Sequence, residues 1–314
     1  MGRDRGAVAE ALNLADDRRP AQRQAALELL ATLERETPFP GAARIGITGA
    51  PGVGKSTLLD ALVRSLRPRG DSLAIVAVDP SSQRSGGALL GDRARVRAGA
   101  NDPGVFIRSM AARDRLGGLA EATRAGVTIL SAAFDRVFVE TVGVGQSEVE
   151  VATLVDTLVF VASPGAGDLL QFMKAGILEE PDIFVVNKAD LGALAERTAS
   201  DLAGGLGLGE SAGDGWTPPL LLASARDASG IEELADAITA HFAHLTDSGA
   251  IAARRRRGRA AWLIQALESR YGSFGLEQLG GPTSVEARLD EDGSGYATLA
   301  ALGSEIEEAL GKPR

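Results

Sequence analysis

The chain has 314 residues, 42 acidic and 33 basic, for a formal net charge of −9 at pH 7. With 45% hydrophobic and 24% charged residues it has ordinary globular composition, and its length suffices for a large packed core. Cysteine is absent, which excludes disulfides, thiolate metal sites and cysteine nucleophiles. The acidic balance argues against nucleic acid, whose binding needs a basic stripe to displace counterions. No apolar run approaches the roughly 18 to 20 residues that span a bilayer. The first ten residues carry no apolar h-region and, with Gly6 in place of Ser or Thr, no myristoylation signal. A soluble, cytoplasmic protein with no membrane partner is expected.

In chain order, residues 7 to about 36 alternate Ala and Leu with Arg, Glu and Gln at helical spacing, as in Ala26, Leu29, Leu30 and Leu33. Thr37-Pro38-Phe39-Pro40-Gly41 breaks that pattern. Short, near-continuous apolar runs then alternate with helical stretches: Ile45–Thr48, Leu73–Val78, Val105–Ile107, Val137–Val139, Leu158–Val161, Ile183–Val186 and Leu220–Leu222. Continuous rather than alternating apolar character predicts parallel strands buried on both faces, hence a doubly wound α/β sheet. A helix is predicted over Ala250–Tyr271 and another over Leu299–Leu310, with Gly280-Gly281-Pro282 and Asp290–Gly293 as turns between them. The expected domains are an N-terminal helical segment over 1–40, a P-loop nucleotide-binding domain over 41–247 and a C-terminal helical region over 248–314.

The sharpest motif is Gly49-Ala50-Pro51-Gly52-Val53-Gly54-Lys55-Ser56-Thr57, directly after one predicted strand and before the helical run Leu58–Leu66. Glycines let successive backbone N–H groups turn inward onto phosphate oxygens, and the helix N-terminus adds partial positive charge. Lys55 then supplies a full charge to the β- and γ-phosphates and Ser56 a hydroxyl to Mg²⁺.

The base is read elsewhere. Asn187-Lys188-Ala189-Asp190 follows the run Ile183–Val186, placing it at a strand end. The Asp190 carboxylate can accept from both N1–H and N2–H₂ of guanine, a donor pair adenine lacks. Ser224-Ala225-Arg226 follows the last predicted strand, where a backbone N–H could meet guanine O6. GTP and GDP are therefore expected over ATP.

Two further stretches stand between these motifs: Asp79–Arg93, which includes Asp92, and Val137–Glu148, which includes Glu140, Gly143 and Gln146. Acids and hydroxyls at the mouth of such a sheet suit Mg²⁺, and Ser56, Asp79, Asp92 and Glu140 are the candidate ligands. Together with Pro164–Asp168, these stretches resemble the methylmalonyl-CoA mutase-associated GTPases of the MeaB/ArgK type, SIMIBI-class P-loop GTPases, over about residues 40–245. That resemblance implies a GTP-hydrolysing chaperone that gates cofactor loading and protects or reactivates an adenosylcobalamin-dependent acyl-CoA mutase. It also implies a homodimer with a C-terminal dimerisation arm, and the adenosyltransferase as a further partner. Lys55, Asp92 and Glu140 fall on its catalytic positions, Asp79 and Asp92 on its switch I acids, and Gly167–Gly176 on the segment that reports nucleotide state. In that segment Leu169, Phe172 and Met173 give more apolar character than the family pattern.

His241 and His244, the only histidines, are i, i+3 on a predicted helix and read as a solvent face; neither fits a D-x-H-x-x-G loop, so no base-off cobalamin is expected on this chain. Arg254–Arg257 reads as the charged face of a helix that carries Trp262, Ile264 and Leu267 inward. The rival functions are a metal-delivering GTPase chaperone, disfavoured by the missing cysteines, and a small-molecule P-loop kinase, disfavoured by Asp190.

Overall fold

A computed structural model describes residues 4–17, 19–80, 99, 102–112, 121–141, 147–165, 177–206, 215–292 and 294–311. Two helices come first, α1 (Arg5–Asp16) and α2 (Pro20–Glu36). The Asp4 carboxylate caps α1 by accepting from Gly6 N at 2.8 Å, and Pro20 opens α2, where its missing N–H costs nothing. Seven strands follow: β1 (Ala43–Thr48), β2 (Leu73–Pro80), β3 (Val105–Ala112), β4 (Arg136–Glu140), β5 (Thr157–Ala162), β6 (Ile183–Val186) and β7 (Leu220–Leu222). Every run anticipated as a strand is one. All pairings are parallel, in the order β3-β2-β4-β1-β5-β6-β7.

The helices between strands are α3 (Lys55–Leu66), α4 (Glu121–Ser131), α5 (Ser147–Ala152), α6 (Ala193–Leu206) and α7 (Ile231–Asp247). Adjacent strand residues feed opposite faces, as the period of two requires. Ala74, Val76, Val137 and Val139 pack toward α1, α2, α4 and the C-terminal helices. Ile45, Ile47, Ile75 and Phe138 pack toward α3, α6 and α7. β1 lies at the switch of winding direction: the chain leaves it for β2 on one side, and later crosses from β4 to β5 on the other. In such sheets the crevice beyond the carboxyl ends at that switch binds the ligand.

The C-terminal part holds α8 (Ala250–Gln278), α9 (Pro282–Asp292) and α10 (Gly295–Gly311). Helical geometry in α8 breaks at Gly272, one residue beyond the predicted end at Tyr271. The turn expected at 290–293 is corrected at its start: α9 runs through Asp292, carried by Val285 and Leu289, both buried one helical turn apart. Trp262 is buried against Tyr296 with ring centroids 4.8 Å apart, so α8 and α10 share an aromatic contact.

The arginine run is not simply a solvated face. Arg254 holds Asp182 through two hydrogen bonds of 2.8 and 2.7 Å, and Arg255 holds Asp156 through two of 2.7 and 2.6 Å. Asp156 and Asp182 stand just before β5 and β6, at the amino edge of the sheet, so these forks fasten α8 to the core there. Gly258 sits at the crossing itself, where a Cβ would stand 2.0 Å from the carbonyl oxygen of Thr153. His241 also departs from expectation. It is fully buried, joined to Thr157 Oγ1 through Nδ1 at 2.9 Å, with Nε2 3.3 Å from Asp182 Oδ1 and the Trp216 ring against it. Breaking a buried pair by removing one partner strands the other charge and costs about 3–5 kcal/mol. Asp156→Ala should therefore lower the stability measured by urea unfolding by that amount, whereas Asp17→Ala, whose partner Arg19 is exposed, should leave it nearly unchanged.

Candidate functional site

Residues 49–54 link the carboxyl end of β1 to the N-terminus of α3. Gly49 takes φ 137°, and a Cβ there would lie 2.1 Å from the Val161 carbonyl oxygen of β5, so the loop can start only with glycine. Gly52 and Gly54 also have positive φ, and Gly54 forms the left-handed cap from which α3 departs. Lys55 is buried, and its ammonium donates to the carbonyl oxygens of Gly49 and Ala50 at 2.7 and 3.0 Å, so its charge is held across the loop.

Ser56 and Glu140 meet: the hydroxyl donates to the Glu140 carboxylate at 2.5 Å, although 84 residues separate them. Strand register brings them together, because Glu140 ends β4 opposite Ile47 of β1. Thr141 secures that junction, its N–H donating to Ile47 O at 3.1 Å and its hydroxyl to Thr48 Oγ1 at 3.3 Å. The backbone of Asp79 lies two residues beyond Ala77, which is level with Glu140, so it reaches the same carboxyl edge. Asp92, Gly143, Gln146 and Gly167–Gly176 lie outside the described residues.

The two motifs expected to read the base flank the loop. Asn187, buried at the end of β6, donates from Nδ2 to Val53 O at 2.9 Å and accepts from Ala225 N at 3.3 Å. Lys188 adopts a left-handed backbone, φ 62°, a conformation that costs a side-chain-bearing residue energy and is met at functional turns. Its ammonium donates to Gly52 O at 3.0 Å. Asp190 accepts from Ser224 Oγ at 2.8 Å, and exposed Arg226 lies 3.5 Å from its other oxygen. The structure thus gathers Gly49–Thr57, Glu140, Asn187, Lys188, Asp190, Ser224, Ala225 and Arg226 at one edge. The sequence reading missed two contacts: the Ser224 hydroxyl that orients Asp190, and Asn187 as a tie to the phosphate loop. Both pair polar side chains of known motifs over a distance that only strand order reveals.

This constellation at the winding switch is that of a P-loop GTPase, and the comparisons agree. The profile of the family described as methylmalonyl Co-A mutase-associated GTPase MeaB matches residues 8–273. The chain belongs to the MeaB family. A probable GTPase of Mycobacterium bovis is 44% identical over 267 residues, 84% of this chain and 79% of that one. The mouse protein named methylmalonic aciduria type A homolog, mitochondrial, is 34% identical over 275 residues, 84% of this chain and 66% of that one. A crystal structure described as a LAO/AO transport system kinase superposes with a TM-score of 0.69 at 27% identity, covering 97% of this chain and 94% of that one. This MeaB-family chain is accordingly a GTPase with a mostly parallel sheet and a C-terminal helical arm. None of its described helices is long and apolar enough to cross a membrane.

Proposed function

We propose that this MeaB-family GTPase is a chaperone that gates cofactor loading into, and protects or reactivates, an adenosylcobalamin-dependent acyl-CoA mutase. The convergence of Lys55, Ser56, Glu140 and Asp190 on one sheet edge carries the nucleotide half of the proposal. The family description and the name of the mouse relative support the mutase half. The active unit is a cytoplasmic homodimer, with a nucleotide domain over 41–247, an N-terminal helical segment over 1–40 and an arm over 248–314.

In this reading Gly49–Thr57 wraps the phosphates with backbone N–H groups while Lys55 balances the β- and γ-oxygen charge. Asp190, held by Ser224, accepts from guanine, and a backbone N–H of Ser224–Arg226 meets O6. The hard oxygen donors of Ser56 and Glu140, already in contact, fit Mg²⁺, with Asp79 and Asp92 completing the set directly or through water. A cation held by these residues would supply charge neutralisation for the phosphates. Hydrolysis releases the loops that γ-phosphate contacts hold, and the mutase reads the difference.

Turnover of the isolated protein should be slow, on the order of 10⁻⁴ to 10⁻³ s⁻¹ as for an unassisted Ras-like site. Adding the cognate mutase should raise it at least about tenfold, measured as phosphate release at saturating GTP. Co-purification with candidate mutases in GDP and in a non-hydrolysable GTP analogue identifies the partner. Unstimulated turnover with every mutase of the host, together with no nucleotide-dependent co-purification, would overturn the chaperone reading and leave the GTPase assignment standing.

A further inference from the structure

At the opposite edge of the sheet from the nucleotide loop, the end of α2, the 37–42 connector, the start of β1, α4 and the first turns of α8 enclose a cavity of ≈ 280 Å³. Arg44, Arg255 and Arg259 line it, along with the buried hydroxyl-bearing residues Thr128 and Ser131. Arg255 is committed, to Asp156 and to the carbonyl oxygens of Pro40 and Ala42. Arg44 and Arg259 are not. Arg44 donates from Nε to Ser131 Oγ at 3.2 Å, and the buried Nε of Arg259 has no hydrogen-bond acceptor among the described residues. Neither guanidinium has a carboxylate within salt-bridge distance among those residues. The one acid in the lining, Glu34, turns an oxygen to Ser294 Oγ at 2.7 Å and to Tyr296 N at 3.4 Å.

Positive charge therefore accumulates where water is scarce. Burial, and then the neighbouring Arg255, push the Arg44 guanidinium down to about 10, and burial likewise lowers that of nearby Arg124. Asp156 and Glu34 offset part of the Arg44 charge, yet its guanidinium still lies below its ordinary value, and an entering anion relieves the remaining cost of burying it. The Thr128 hydroxyl already donates to the Arg124 carbonyl oxygen at 3.2 Å, which leaves the Ser131 hydroxyl as the donor beside the guanidinium forks, and forks of this kind match the several oxygens of a phosphate better than the two of a carboxylate. At the rim, the Phe39 ring is 64% exposed beside Pro38 and Pro40, an apolar ledge beside the cationic floor. From Arg44 to Gly49 the strand advances about 16 Å, so this cavity is separate from the nucleotide loop.

We propose that this cavity binds the phosphate group of a small phosphomonoester, held by Arg44, Arg259 and the hydroxyl of Ser131, with its organic part along Phe39. Such a ligand would bridge core and arm, since Arg44 belongs to β1 and Arg259 to α8.

The test is calorimetric titration of the full chain saturated with GDP and Mg²⁺, so that the nucleotide loop is filled, using phenyl phosphate, inorganic phosphate and benzoate. Phenyl phosphate should bind at one saturable site, at least about threefold tighter than inorganic phosphate and tenfold tighter than benzoate. Arg44→Gln and Arg259→Gln should each weaken it at least about tenfold, and Arg69→Gln, at a distant surface pair, should not. No saturation below about 10 mM, or equal binding by the variants, overturns the site. Benzoate binding as well as phenyl phosphate overturns the phosphate assignment, and inorganic phosphate binding as well overturns the role of Phe39. Should a variant fail to fold, tungstate soaked into crystals of the unaltered protein decides: an anomalous peak between Arg44 and Arg259 supports the site, and its absence there overturns it.

Discussion

Replacing Lys55 with Ala is expected to lower GTP turnover by at least about a hundredfold, the scale of losing one preorganised group aimed at developing charge. Lys55 is buried at the first turn of α3, and its ammonium is already positioned by two loop carbonyls. No conformational search precedes its use, and the surrounding low dielectric magnifies its charge. The fold should survive, because alanine is the better helix former at that position. Single-turnover hydrolysis measured beside circular dichroism and a thermal midpoint separates the two effects. A folded variant with turnover within about fivefold of the parent would remove Lys55 from the chemistry.

Asp190→Ala should abolish a preference for GTP over ATP that, on the scale of sites that reject a ligand by leaving a hydrogen-bonding group unpaired, is on the order of 10³-fold or more. The carboxylate is fixed by Ser224, so it cannot swing away from a mismatched base without giving up that bond. Adenine presents an acceptor at N1 where guanine presents a donor, and the carboxylate would face it unpaired. Asp190→Asn provides the stricter check. Its amide can place a donor opposite the 2-position, which suits the carbonyl of xanthine and not the amino group of guanine. Competition against a fluorescent GDP analogue should thus show a shift toward xanthosine nucleotides. Equal displacement by GTP and ATP in the unaltered protein would contradict the base assignment.

The strands were legible because parallel strands covered on both faces leave continuous apolar runs, and β5, buried at every residue, is the clearest case. The phosphate loop and Asn187–Asp190 were legible because their chemistry fixes residue types at fixed spacing. What escaped depends on distance in the chain. Nothing local to Arg254 and Arg255 shows that Asp182 and Asp156 await them 72 and 99 residues away, so the run read as a solvated face. His241 escaped for the same reason: the Thr157 and Asp182 that make its burial tolerable lie on other elements. Helix α9 escaped differently. Its two inward residues, Val285 and Leu289, did carry the helical spacing, but Asp290–Gly293 looked more like a turn than the end of a helix.

Asn187 has a wider consequence. One amide touches both the phosphate loop, at Val53 O, and the loop proposed to read the base, at Ala225 N. The parts proposed to grip the two ends of a nucleotide are therefore clamped to each other before any ligand arrives. A ligand carrying both ends then meets a template already set to its own span, and the second end docks with little further loss of freedom. Guanosine alone and pyrophosphate alone each give up their own translational freedom to bind, whereas GDP gives it up once. The affinity of GDP should accordingly exceed what its fragments add up to, and loosening this single side chain would erode that surplus.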